Sequence, residues 1–130
     1  TGLLLSRAPA LRPQRRTLIS PMQGLDQHLE VFADIALLTV ERAERLRQRV
    51  ERELNVSVEQ ICALRAVRNI NVPGLVIHDL HDPVIPHEAG ELLSKEWPGA
   101  RLISTSRLGH HRILRCPNVL KEVLRHHAAV

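Results

Sequence analysis

The stretch "HDLHDPVIPHE", His78 to Glu88, sets three histidines and two aspartates around two prolines, directly after the apolar run "GLVI". A second concentration, "GHH", lies at Gly109 to His111. Aspartate and histidine together suit general-base chemistry. A carboxylate beside an imidazole fixes the ring's tautomer and stabilises the imidazolium that forms when the ring takes a proton from a nucleophile. A metal centre needs three or four ligands converging in a fixed geometry. His78 and His81 stand three apart on the exit of a strand-like run, and no second cluster has matching spacing. No metal or other cofactor is expected. Asp82 precedes Pro83, and Asp-Pro is a common start to a turn, so a plain turn also accounts for it.

The elements around these residues predict how they are placed. "RTLIS" is a short strand-like run stopped by Pro21. From Leu25 to about Arg68 the pattern is helical. Leu25, Leu29, Phe32 and Ile35 recur at helical steps, and Ala43, Leu46, Val50 and Leu54 repeat the spacing. Glu41 stands four before Arg45, as in an ion-paired helix face. Ser57 with Gln60 three later predicts a capping box at the head of "SVEQICALRAVR". After Pro73, "GLVIH" has the continuous apolar character of a strand buried on both faces. A helix over "HEAGELLSKEW", a strand over "ARLIST", a loop over "LGHHRIL" and a final helix over "PNVLKEVLRHH" follow. Strands alternating with helices predict a parallel α/β sheet of about three strands. In such sheets functional groups collect at the carboxyl ends of strands. The loops after "GLVI" and after "ARLIST" therefore share one sheet edge, and Asp82 can meet a histidine there.

"VPGLVIHDLHDPVIP" resembles the late strand and acid loop of the α/β-hydrolase fold, and "WPGARLISTSRLGHH" with "GHHRIL" resembles the strand, histidine loop and approach to the last helix of that fold. The resemblance covers roughly Asn71 to Val130, with Arg15 to Pro21 as the preceding strand. It implies that Asp82 is the catalytic acid and His110 the general base, with His111 a loop residue. Asp79 departs from the pattern, which often has glycine there. No G-x-S-x-G occurs in the chain. Ser6, in "LLLSRAP", lacks the flanking glycines of a nucleophile elbow. The resemblance thus implies the C-terminal part of an α/β-hydrolase, in three segments. Residues 1–24 would supply a helix end and a core strand, residues 25–70 an inserted helical cap, and residues 71–130 the core with the acid and histidine loops. It implies a serine hydrolase of esters or similar acyl bonds whose nucleophile precedes Thr1, so that this chain alone is inactive. A non-enzymatic α/β interaction domain is the alternative.

Composition narrows the partners. Phe32 and Trp97 are the only aromatics, so stacking platforms for bases are absent. The net charge of +4 would permit nucleic-acid binding, but the arginines from Glu41 to Arg52 alternate with glutamates, as on a solvated helix face. No apolar run approaches the ~18 residues of a membrane span. Cys62 and Cys116 show no CxxC spacing and are expected to be small packing residues. A small-molecule substrate and a reduced, cytoplasmic setting are expected, without nucleic-acid or membrane partners. "TGLLLSRAPALRPQRRTLIS" is arginine-rich and free of acids, as a transit peptide can be, but Pro9 and Pro13 argue for a helix end and turn before the strand.

Overall fold

The computed structural model describes residues 13–129. The helix expected over "TGLLLSRA", and Ser6 within it, lie outside those residues. Three strands, β1 (Arg16–Ile19), β2 (Gly74–Asp79) and β3 (Ala100–Thr105), form a parallel sheet in the order β1-β2-β3. Its register runs Arg16 to Gly74 through Ile19 to Ile77 on one side of β2, and Gly74 to Ala100 through Asp79 to Thr105 on the other. Between β1 and β2 lie α1 (Leu25–Ile35), α2 (Val40–Leu54), a 3-10 turn (Val58–Gln60) and α3 (Ala63–Arg68). Helix α4 (His87–Glu96) connects β2 to β3, and α5 (Gly109–Arg112), a second 3-10 turn (Ile113–Arg115) and α6 (Pro117–Ala128) complete the chain.

The apolar run that marks β2 is explained by its position. Every residue of β2 is buried. Val76 packs with Val67, Ile70, Leu93 and Trp97 beneath α3 and α4, while Leu75 and Ile77 pack with Ile113 and Val119 on the opposite face. Side chains alternate between faces along a strand, so a strand covered on both sides needs apolar residues at successive positions. Trp97 anchors the first face. It is 1% exposed, and its indole N–H donates to the Val72 carbonyl at 3.1 Å. The ring lies directly over Gly74, where a Cβ would come within 2.6 Å of several ring atoms. Pro117 opens α6 at its first turn, where a missing N–H leaves no bond unmade.

The helical segment is less well covered. Helix α2 starts at Thr39, whose hydroxyl accepts the Arg42 N–H, and stops at Asn55 in the left-handed region at φ 54°. None of its residues is buried, and α1 buries only Ala33. Phe32, on the expected apolar stripe, is 52% exposed. The ion pairs on α2 are Arg47–Glu51 and Arg49–Glu53, together with Arg47–Glu59 to the following turn. The Gln60 side chain accepts the Ser57 N–H, as the capping box predicts. The helix it was expected to head is broken, however. Leu25 N–H donates to Ile61 and Leu64 N–H to Gln23, and Gly24 bridges Cys62. Those pairings hold Cys62 extended and Ile61 out of helical conformation, so a 3-10 turn and the short α3 replace one continuous helix. The loop expected over "LGHHRIL" instead coils into α5 and the second 3-10 turn.

Because Gly74 is pressed against a buried indole, Gly74→Ala must displace Trp97 or the strand. It should destabilise the protein by about 1–3 kcal/mol, the usual range for overpacking. A lowered urea midpoint with unchanged slope would show this, whereas an unchanged midpoint would mean the packing is looser than described.

Candidate active site

Strands β2 and β3 end at the same level, on the pair Asp79 and Thr105. Beyond it the Leu80 N–H still donates to the Thr105 carbonyl at 2.9 Å. The two exit loops therefore leave the sheet side by side, and they bring Asp82 and His110 together across 28 residues of chain. The two carboxylate oxygens of Asp82 have separate tasks. Oδ1 accepts the backbone N–H groups of Val84 and Ile85 at 2.9 and 3.0 Å. Oδ2 accepts Nδ1–H of His110 at 2.8 Å. Asp82 is thus both a turn residue and the partner of an imidazole. Its side chain is fully buried, which by itself pushes the carboxyl upward. The Ile85 N–H, His110 and the Val84 N–H outweigh that burial and hold it below the ordinary carboxylate range.

His110 is oriented by this bond. Donation from Nδ1 places the neutral ring's lone pair on Nε2, which has no partner among the described residues. The ring lines a cavity of about 820 Å³ between the carboxyl ends of the strands and the helical segment. Leu18, Ser20, Met22, Ile61 and Val84 contribute to its walls. Met22 and Gln23 line an adjoining cavity of about 320 Å³. Ser20 was not singled out by its sequence. It directly follows β1 in the left-handed region at φ 45°, is 7% exposed, and its hydroxyl has no partner among the described residues. A serine just before a proline gives no signal of that conformation.

The remaining charged groups support the two loops. His78 is fully buried and stacked on Gly90 of α4, where a Cβ would come within 2.6 Å of Nδ1. Its Nε2 donates to the Ile85 carbonyl at 3.0 Å and stands 3.5 Å from Asp82 Oδ2. His81 is exposed, and His87 bonds Ser104 at 2.9 Å. His111 is exposed beside His110 and does not reach Asp82. His126 and His127, at the end of α6, bond the Arg16 carbonyl and the Thr17 hydroxyl, far from the site. Cys62 and Cys116 are free thiols, each half-buried. No group of three or more metal-binding side chains converges among the described residues. Asp79, noted in the sequence only as a departure, proves to be fully buried and heavily bonded. Oδ1 accepts the His81 N–H at 2.9 Å, and Oδ2 accepts the Thr105 hydroxyl at 2.7 Å and the Leu108 N–H at 3.0 Å. Burial opposes its charge, but these donors win and bring its pKa down to about 2.

The sign of that shift gives a test. A carboxyl whose native pKa lies below its ordinary value of 3.8 adds stability that is fully present above 3.8 and lost as pH falls to about 2. In urea titrations over that window, the parent protein should lose stability more steeply than Asp79→Asn. Above about pH 5 the two curves should run parallel. Equal slopes throughout would show that Asp79 gains nothing from its bonds.

No protein-family model matches the chain, and no curated protein matches it in sequence. Solved structures do match its fold. The Mycobacterium tuberculosis protein Rv0554 is 21% identical, with a TM-score of 0.65 over 99% of this chain and 61% of its own. MGS-M2, an α/β hydrolase enzyme from a Medee basin deep-sea metagenome library, is 15% identical, with a TM-score of 0.63 over 99% of this chain and 61% of its own. The enol-lactonase from Burkholderia xenovorans is 18% identical, with a TM-score of 0.59 over 100% of this chain and 62% of its own. The chain thus spans about three-fifths of the length of these structures. Three parallel strands in sequence order, helices between them and a helical insertion after the first strand give this chain the α/β-hydrolase fold.

Proposed function

We propose that this chain is the C-terminal part of a serine hydrolase of the α/β-hydrolase fold, acting on an ester or similar acyl bond of a small molecule. The observation that carries this reading is the 2.8 Å hydrogen bond from His110 Nδ1 to the buried carboxylate of Asp82. His110 Nε2 takes the proton of an attacking hydroxyl, and Asp82 stabilises the imidazolium. The imidazolium then gives that proton to the departing alkoxide. A water, activated in the same way, releases the acyl group and regenerates the neutral ring. The 130 residues contain no G-x-S-x-G, so the reading requires a nucleophile from residues preceding Thr1 in a longer protein.

Residues 25–70, entered from β1 and left into β2, act as the cap. Ile61, Cys62 and Ala63 of that segment face His110 across the larger cavity, whose size suits a small-molecule substrate. The enol-lactonase among the matching structures supports acyl–oxygen cleavage as the reaction class. A non-enzymatic interaction module would give no reason to bury a carboxylate against one imidazole. No helix among the described residues is long and apolar enough to cross a membrane.

The test is kinetic. With a short-chain nitrophenyl ester and the full-length protein, Asp82→Asn and His110→Ala should each lower kcat/KM by roughly a thousandfold or more. Both should fold as the parent does. The 130-residue chain alone should not turn the ester over. Parent-like rates in either variant, or turnover by the isolated chain, would reject this assignment.

A further inference from the structure

Two loops from different strands must be held at a fixed separation for the 2.8 Å bond between His110 and Asp82 to form. Few contacts do this. The Leu80 N–H reaches the Thr105 carbonyl at the root of the loops, and Ser106 meets His81 at 3.4 Å on the exposed side. Between them lies the carboxylate of Asp79, whose donors come from both loops. His81, one residue before Asp82, donates to Oδ1. Leu108, two residues before His110, donates to Oδ2, as does Thr105 at the end of β3. The nearby Gly109 N–H, adjoining His110, also favours the charged carboxylate. Asp79 itself is fully buried, so a donor or acceptor lost there leaves its partner costly to satisfy.

Resting on the reading of Asp82 and His110 as acid and base, we propose that Asp79 is a positioning residue: its carboxylate clasps the acid loop to the histidine loop and thereby sets the reach from His110 to Asp82. Glycine, common at this position in the α/β-hydrolase pattern, has no side chain to make such a link. A carboxylate is the fitting group because every neighbour is a donor. An asparagine offers one acceptor oxygen and turns an NH2 group toward donors on one side. Arg112 holds the histidine loop by a separate route. Its guanidinium donates to the carbonyls of Arg107 and Leu108. Loss of the clasp therefore shifts the two loops relative to each other while leaving the histidine loop's own shape in place.

The test uses the full-length protein with isotope-labelled histidine. The His110 Nδ1–H held by Asp82 should give a downfield proton resonance, and Asp82→Asn should abolish it. Asp79→Asn and Thr105→Val should each move that resonance upfield and speed its exchange with water by about tenfold or more. Thr105→Ser, which keeps the hydroxyl, should restore the parent signal. In turnover, both loosened variants should lower kcat with KM unchanged. Folded Asp79→Asn and Thr105→Val proteins with the parent's signal and exchange rate would overturn the clasp. If Asp79→Asn does not fold, the comparison of Thr105→Val with Thr105→Ser decides. A signal that survives Asp82→Asn would instead overturn the pairing itself, and the clasp with it.

Discussion

The in-register pairing of β2 with β3 is the constraint on which the rest depends. Parallel neighbours cannot be joined by a tight turn, so the chain must pass through α4 before β3 begins. In exchange, both strands point their carboxyl ends the same way, and residues on either side of α4 emerge together. The ladder stops at Asp79 and Thr105. A slip of one residue would turn every side chain of β3 to the opposite face. The Thr105 hydroxyl would then no longer face Asp79, and the histidine loop would leave the sheet at a different level.

Burial makes the loops above that ladder precise. Asp82, Asp79 and His78 all carry polar groups away from solvent, which is unfavourable unless partners are supplied. Backbone N–H groups supply most of them: those of Val84, Ile85, His81 and Leu108 donate to the two carboxylates at 2.9–3.0 Å. Because these donors belong to the loops themselves, satisfying the carboxylates also shapes the backbone. His78 adds a bond to the Ile85 carbonyl from below. The acid loop is thus tied down at both ends before His110 approaches it.

The helical segment has a different character. Its ion pairs lie on the surface, where such pairs contribute little, and α2 buries no residue. Backbone pairings of Gln23, Gly24 and Leu25 with Ile61, Cys62 and Leu64 tie its two ends to each other, and Val67 of α3 packs it onto the sheet. A segment held at its roots and lightly packed beyond them can shape a cavity while leaving its walls free to vary. That is consistent with the cavity being bounded by the roots, through Met22, Gly24, Ile61 and Cys62, beside His110.

The amino-acid pattern by itself determined the strands, most helices and the two loops that hold Asp82 and His110, because hydrophobic period and proline placement are local properties. "GLVI" announced a strand buried on both faces, and Asp82 stood out beside Pro83. Local pattern could not foresee the break at Ile61 and Cys62, which arises from hydrogen bonds to residues nearly forty positions away. Nor could it separate a turn aspartate from one that orients an imidazole, since Asp82 is both, with a different oxygen for each. Asp79 read as a mismatch at a glycine position, and Ser20 as the end of a strand. Only tertiary structure decided their places, because the donors around Asp79 come from the end of β3 and from the loops after two different strands, and Ser20 adopts a left-handed conformation as the chain leaves β1. Residue type tells which groups can accept a proton or a hydrogen bond; which groups are brought within reach depends on the register of a sheet assembled from distant parts of the chain.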